Sequence, residues 1–209
     1  MKRYGLRFAL TCLSVVGCTS APVRYYTLAP PPDQTVPVPE PTFAIVVRVV
    51  HIPPQLNRSE LMVRTGPTEM TLLENERWVS PVDDEIKDAL SLALQRRLTR
   101  PPLPRAALTA ISLDIDVQRL EAELGQRARL EASWSATSAA GGQTTGVRAA
   151  ACKFQADEKI RAGYAEMVQG YQRDIAALAD AIFTGLARAV SGSDGSCRQA
   201  NHDSAGGSG

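Results

Sequence analysis

Hydrophobic and polar positions recur along the chain with two periods, and the switch between them marks out its elements. Arg24 to Leu28 is rich in aromatic and β-branched residues and predicts a short strand. Phe43 to Val50 is a near-continuous apolar run of strand length, which predicts a central strand covered on both faces and ended by Pro53-Pro54. Leu61 to Thr65 and Glu69 to Leu73 flank Gly66-Pro67 and predict a hairpin leading into Trp78. Ile111, Leu113, Ile115 and Val117 alternate with polar residues, as do Ala128, Leu130, Ala132 and Trp134 after a turn near Gly125. That period of two predicts a long antiparallel hairpin with one buried face. A third strand, Thr145 to Phe154, follows Gly141-Gly142.

Two segments carry the helical period instead. Ser80-Pro81 opens the first, with Ser as N-cap, Pro at the first helical position and the acidic Asp83, Asp84 and Glu85 against the positive helix end. Val82, Ile86, Leu90, Ala93, Leu94 and Leu98 form its apolar face, and Pro101-Pro102 stops it. The second runs from near Tyr164 to Ser191, with Met167, Tyr171, Ile175, Leu178, Ile182 and Leu186 on one stripe. The fold class expected is α/β, a two-layer sandwich: a mixed, mostly antiparallel sheet with two long helices packed on one face.

The first residues assign the compartment. Lys2, Arg3 and Arg7 precede a short apolar stretch, the pattern of a secretory signal and too short for a transmembrane helix. Its end, Val15-Val16-Gly17-Cys18, resembles the bacterial lipobox, with Val15 where Leu is usual; the alternative is an ordinary signal peptide. The lipobox reading makes 1–17 a lipoprotein signal peptide and Cys18 the mature N-terminus, carrying diacylglycerol on sulfur and an N-acyl chain such as palmitate. Thr19 rather than Asp follows it, which by resemblance to enterobacterial sorting rules favours the outer membrane. Residues 18–41 are then the lipidated N-terminus, the short strand and a Pro-rich connector; 42–190 the periplasmic domain; 191–209 a disordered Gly/Ser-rich tail. If Arg24 to Leu28 is a strand, the tether is only Thr19 to Val23 and the body sits close to the bilayer.

Composition narrows the chemistry. Among 209 residues, 23 Lys+Arg stand against 22 Asp+Glu, and no basic block recurs, which argues against a nucleic-acid partner. Losing the signal leaves 20 basic and 22 acidic side chains, a formal −2, so lipid rather than charge must hold the protein to a membrane. The two histidines, His51 and His202, have no sequence-linked partners for a triad or a metal site. Asp83, Asp84 and Glu85 read as helix-end charges, and Asp114 and Asp116 as the solvated half of a strand. No catalytic residue, metal ligand or cofactor is therefore expected, and nucleophile elbows, phosphate loops and Cys-x-x-Cys pairs are absent from the sequence. Cys152 and Cys197 remain after processing, as a disulfide or as a buried strand residue and a tail thiol. The turns Gly66-Pro67-Thr68 and Gly125-Gln126 are candidates for partner contact, with plain exposed turns as the alternative.

From Leu56 through Leu61-Met-Val-Arg-Thr-Gly66 and Glu76-Arg77-Trp78 to Pro81-Val-Asp-Asp-Glu-Ile86, and on through Leu130-Glu-Ala-Ser-Trp134 to the Tyr164 helix, the chain resembles the ABC-type transport auxiliary lipoproteins of the PqiC/YmbA family. The likeness spans nearly all of residues 18–190 and leaves out Cys152, Cys197 and the tail. It implies a compact α/β domain and an outer-membrane lipoprotein facing the periplasm. Its implied partners are an MCE-domain protein and inner-membrane transporter components that move lipid between the membranes. That role would be binding rather than catalysis, with a homo-oligomer compatible with it. A stand-alone envelope assembly or structural lipoprotein is the other reading.

Overall fold

A computed structural model describes residues 21–29, 43–97, 109–139, 148–190 and 200–203. The signal segment with Cys18, the Pro-rich stretch, the Gly141-Gly142 turn and Cys197 lie outside them.

Eight strands and two helices follow in the order β1 (Arg24–Tyr26), β2 (Phe43–His51), β3 (Glu60–Arg64), β4 (Met70–Trp78), α1 (Val82–Arg97), β5 (Thr109–Glu123), β6 (Arg127–Ala139), β7 (Arg148–Lys159), α2 (Tyr164–Val190) and β8 (Ala200–Asp203). They form two sheets, of order β1-β4-β3 and β2-β5-β6-β7-β8. The α/β two-layer expectation holds, with the strands divided between two sheets rather than joined in one. In the larger sheet β5, β6 and β7 are antiparallel, while β2 and β8 add parallel at its two edges.

The β5–β6 hairpin is closed by Leu124 to Gln126, where Gly125 has a φ of 76°, a conformation that side-chain-bearing residues resist. The even-numbered residues Ala128, Leu130, Ala132 and Trp134 of β6 turn inward, as their alternation predicts. On β5 the inward phase changes from Ile111, Leu113, Ile115 and Val117 to Leu120 and Ala122, because a bulge falls between Val117 and Arg119.

Both helices lie against the larger sheet: α1 on β2 and on α2, and α2 on β6 and β7. Helix α2 approaches closely at two glycines. A Cβ on Gly170 would stand 2.6 Å from Ile160 Cγ2 and 2.9 Å from Ala128 Cβ, and one on Gly185 would stand 2.8 Å from the Trp134 ring. The helix thus accepts the intrinsic cost of two interior glycines so that Trp134 and the β6–β7 surface can nest against it. The smaller sheet buries Leu61, Val63 and Trp78, and Trp78 meets Tyr171 of α2 with ring centroids 6.4 Å apart. One continuous core results.

Two elements differ from the pattern reading. The apolar run of β2 is an edge strand, not a central one: it pairs with β5 alone, buries Val47 and Val50 and leaves Val46 52% exposed. A β-branched run satisfies one packed face as readily as two, so the run itself does not distinguish edge from centre. Within the tail expected to be disordered, Ala200–Asp203 forms β8, paired with β7 so that Phe154 stands opposite Ala200. The open β7 edge supplies unpaired backbone groups that such a segment can satisfy whatever its composition.

Candidate functional site

The residues nearest the expected lipid anchor are fastened to the domain by two buried carboxylates. Glu76 on β4 accepts from Arg24 Nε at 2.9 Å and from the Tyr26 hydroxyl at 2.7 Å, and pairs with the Arg24 guanidinium, which also lies 5.9 Å over the Tyr164 ring. Burial pushes the Glu76 carboxyl up, but the hydrogen bonds from Arg24 and Tyr26 outweigh it and hold its pKa below the usual range. Glu85, buried in the first turn of α1, accepts from the Thr27 hydroxyl and the Leu28 amide, each at 2.8 Å. Its other oxygen accepts from the Ser80 hydroxyl at 2.8 Å and the Ser80 amide at 3.1 Å.

Glu85 therefore joins the Ser80 helix start to the N-terminal strand in one contact set. Gln172 donates to the Thr27 carbonyl at 3.2 Å, the Val79 amide donates to the Tyr26 carbonyl at 2.9 Å, and Leu28 is wholly buried. Arg24 to Leu28 thus belongs to the folded body.

A second feature lies where the β3–β4 turn meets the tip of the β5–β6 hairpin. A cleft of about 440 Å³ is lined there by Arg64, Arg119, Arg127, Arg129, Glu121 and Glu123, together with Gly66-Pro67. The charges interlock. Glu121 takes Arg64 at 3.0 Å and Arg119 at 3.3 Å, and Arg119 also reaches Glu131 at 3.1 Å. Asp157 accepts from Arg129 Nε at 3.0 Å, and that hydrogen bond keeps the guanidinium firmly protonated. Arg127 is the loosest, 3.9 Å from both Glu123 and Asp157. The Arg64 guanidinium also donates to the carbonyls of Gly66 and Pro67, at 3.3 and 3.1 Å, fixing the turn over the cleft. Among the described residues that line it there is no hydroxyl, thiol or imidazole group; its chemistry is that of a shaped, mixed-charge surface suited to binding another polar surface.

Of the two turns read as candidates for partner contact, Gly66-Pro67 lines the cleft, and Gly125-Gln126 lies between two of its lining residues, Glu123 and Arg127. The other candidates disperse. His51 is exposed at the end of β2, and Asp114 pairs with Arg48 on the outer sheet face, with Arg48 Nε 2.9 Å from its Oδ1. Asp83 and Asp84 lie on the first turn of α1, away from the buried Glu85. Among the described residues, no cluster of three or more His, Cys, Asp or Glu has metal-holding geometry, and no helix is long and apolar enough to cross a membrane. Cys152 is buried and disulfide-bonded, and the other cysteines of the chain all lie outside the described residues.

The sequence reading missed Glu76, Glu85 and the cleft arginines. The first two carried a signal: Glu76 stands two before Trp78 on a strand, and Glu85 falls between Val82 and Ala89 on the apolar stripe of α1, so both are charges in buried phase.

Comparison with known proteins agrees with this architecture. No curated protein sequence matches the chain. A crystal structure of an uncharacterized protein superposes with a TM-score of 0.59 at 18% identity, covering 79% of this chain and 99% of that one. A second, from Xanthomonas campestris, gives 0.53 at 16% identity, covering 78% and 91%. At these identities the likeness is one of fold. The model of the ABC-type transport auxiliary lipoprotein component family matches residues 26–183, from the fastened strand through most of the last helix, and the chain belongs to that family.

Proposed function

We propose that this protein is an outer-membrane-anchored lipoprotein facing the periplasm, a non-enzymatic docking subunit of an MCE-type ABC system that moves lipid between membranes. Cys18 carries a thioether-linked diacylglycerol and an N-acyl chain, and the protein needs no other cofactor. An MCE-domain protein and inner-membrane transporter components are its partners, met at least in part through the arginine-lined cleft, and copies of the chain assemble around them.

The observation that carries this reading is the fastening of Arg24 to Leu28, where the family match begins. A body tied down six residues after Cys18 is built to be held at a membrane while presenting its far side to a partner. Cys152 pairs with Cys197 under the same reading. What supports that pairing is that Cys152 is disulfide-bonded and that β8, which begins three residues after Cys197 in the sequence, runs parallel to β7 with Ala200 opposite Phe154.

Anchoring is tested by Cys18→Ser in the full-length precursor, with fractionation of the envelope and mass analysis of the N-terminal peptide. The expected result is an acylated wild-type chain in the outer-membrane fraction and an unacylated variant lost from it. Identical fractionation of the two, with no acyl mass on either, would contradict the anchor.

A further inference from the structure

Four of the five exposed large hydrophobic side chains among the described residues belong to the three-stranded sheet or its immediate flanks: Tyr25 at 65%, Val79 at 64%, Val23 at 45% and Leu72 at 42%. The register places Tyr25 and Leu72 on one face, and Val23, two before Tyr25, and Val79, two after Arg77, flank it in sequence. Tyr25 stands beside Arg77, which stands opposite Glu60; Leu72 stands opposite Met62; and Glu60 and Met62 share a side of β3. The other face of this sheet carries Tyr26, Leu61, Val63 and Trp78 into the core. The sheet is thus packed on one side and presents an apolar, Tyr-bearing patch on the other, interrupted by the Arg77–Glu60 ion pair at 3.3 Å and ended toward the β3–β4 turn by Arg64, which is paired with Glu121.

We infer that this outward face rests on the lipid bilayer, so that the domain is seated on the membrane surface and not merely leashed to it. The inference rests on the acylation of Cys18 and takes its occupant from chain length. Five residue steps separate Cys18 from Val23, a reach of at most ~18 Å even when fully extended. The fastening at Glu76 and Glu85 prevents β1 from peeling away to lengthen that reach.

The patch therefore begins within about the thickness of a headgroup layer plus a short linker from the embedded acyl chains. Covalent attachment there raises its effective concentration at the bilayer to the millimolar range, so a contact too weak to bind alone suffices. The chemistry suits that surface. Tyrosine favours the membrane interface, valine and leucine add apolar area, and a paired Arg and Glu match zwitterionic headgroups without requiring net charge.

The test places a tryptophan reporter on the full acylated chain, as Tyr25→Trp and, separately, Val79→Trp. The control is Val46→Trp, at an equally exposed position on the edge of the other sheet. The proteins are reconstituted into phosphatidylethanolamine/phosphatidylglycerol vesicles with and without lipids brominated near the headgroup end of the acyl chain. The native Trp78 and Trp134 are buried and supply the baseline from wild type.

Quenching at Tyr25→Trp and Val79→Trp several-fold above that at Val46→Trp is expected, with a blue shift on vesicle binding. Quenching no greater than at Val46→Trp, on chains whose mass shows lipid on Cys18, would overturn the seating and leave the anchor standing. A blue shift that grows with protein concentration but without bromine quenching would assign the face to a second copy, and would also overturn it. Absence of lipid on Cys18 is read separately by mass and removes the anchor, and the seating with it.

Discussion

Asp174 lies in the middle of α2, wholly buried, and neither carboxylate oxygen has a hydrogen-bond partner. Burial, reinforced by the neighbouring Glu158, raises its pKa to about 8, against the opposing pull of Arg173, whose guanidinium is engaged with Glu158 at 3.0 Å. The side chain is therefore protonated at neutral pH in the fold and ionised in the unfolded chain. The native state holds a proton that the unfolded state gives up above ~4, so this group's contribution to stability is largest in acid and declines by about 1.4 kcal/mol per pH unit until the native group also ionises near pH 8.

Asp174→Asn should remove that slope, giving a thermal midpoint flatter from pH 5 to 8.5 than wild type and higher at the alkaline end. An unchanged pH profile in melting curves would show that Asp174 does not titrate this way. Glu76 works with the opposite sign. Its pKa is depressed, so what it contributes is present above the unfolded carboxylate range and is lost as pH falls through its folded value, loosening the N-terminal strand in acid. Neither carboxylate could be located from its own identity; what marks both is the phase of the residues around them.

At the scale of elements, the helices and the hairpins were legible because their periods are long or strict. The Ser80-Pro81 start, the Gly125 turn and the alternation on β6 each follow from local chemistry, and each stands where the pattern puts it. What the pattern could not supply is non-local. The edge position of β2, the split into two sheets and the addition of β8 depend on which backbone edges meet, a property of topology that no single segment encodes. The arginine cleft was hidden for a related reason. The bulge after Val117 turns Arg119, Glu121 and Glu123 outward together, and only the fold brings Arg64 across to them.

The bulge did leave a trace, since the apolar phase on β5 passes from odd to even between Val117 and Leu120. The pairing of β8 with β7 also bears on the cysteines. Peptide mapping of the mature chain without reduction should recover one species joining the Cys152 and Cys197 peptides, and alkylation under denaturing conditions should find no free thiol at either. A free Cys197 would contradict the pairing. Because the bridge would close the β7–β8 edge, reduction should also raise amide exchange in β8 well before it affects β5 or β6.

For the molecule as a whole, the proposed anchor and the proposed partner cleft fall at opposite ends of the small sheet: β1 pairs with the last three residues of β4, and the β3–β4 turn precedes its first. The N-terminal strand is held by Glu76 and Glu85 beside the apolar face of the small sheet. The arginine-lined cleft opens where that sheet's hairpin turn reaches the tip of β5 and β6. A lipoprotein arranged this way can sit on one membrane and hold a second component of a transport system by a fixed surface, with no chemistry of its own. The direct measurement is crosslinking in intact envelopes followed by purification of the full acylated protein and identification of what is joined to it. An MCE-domain protein and components of an ABC transporter are the expected products, with crosslinked peptides around Gly66-Pro67 and Gly125-Gln126. Recovery of the acylated protein with no such component, under conditions that crosslink other envelope complexes, would contradict it.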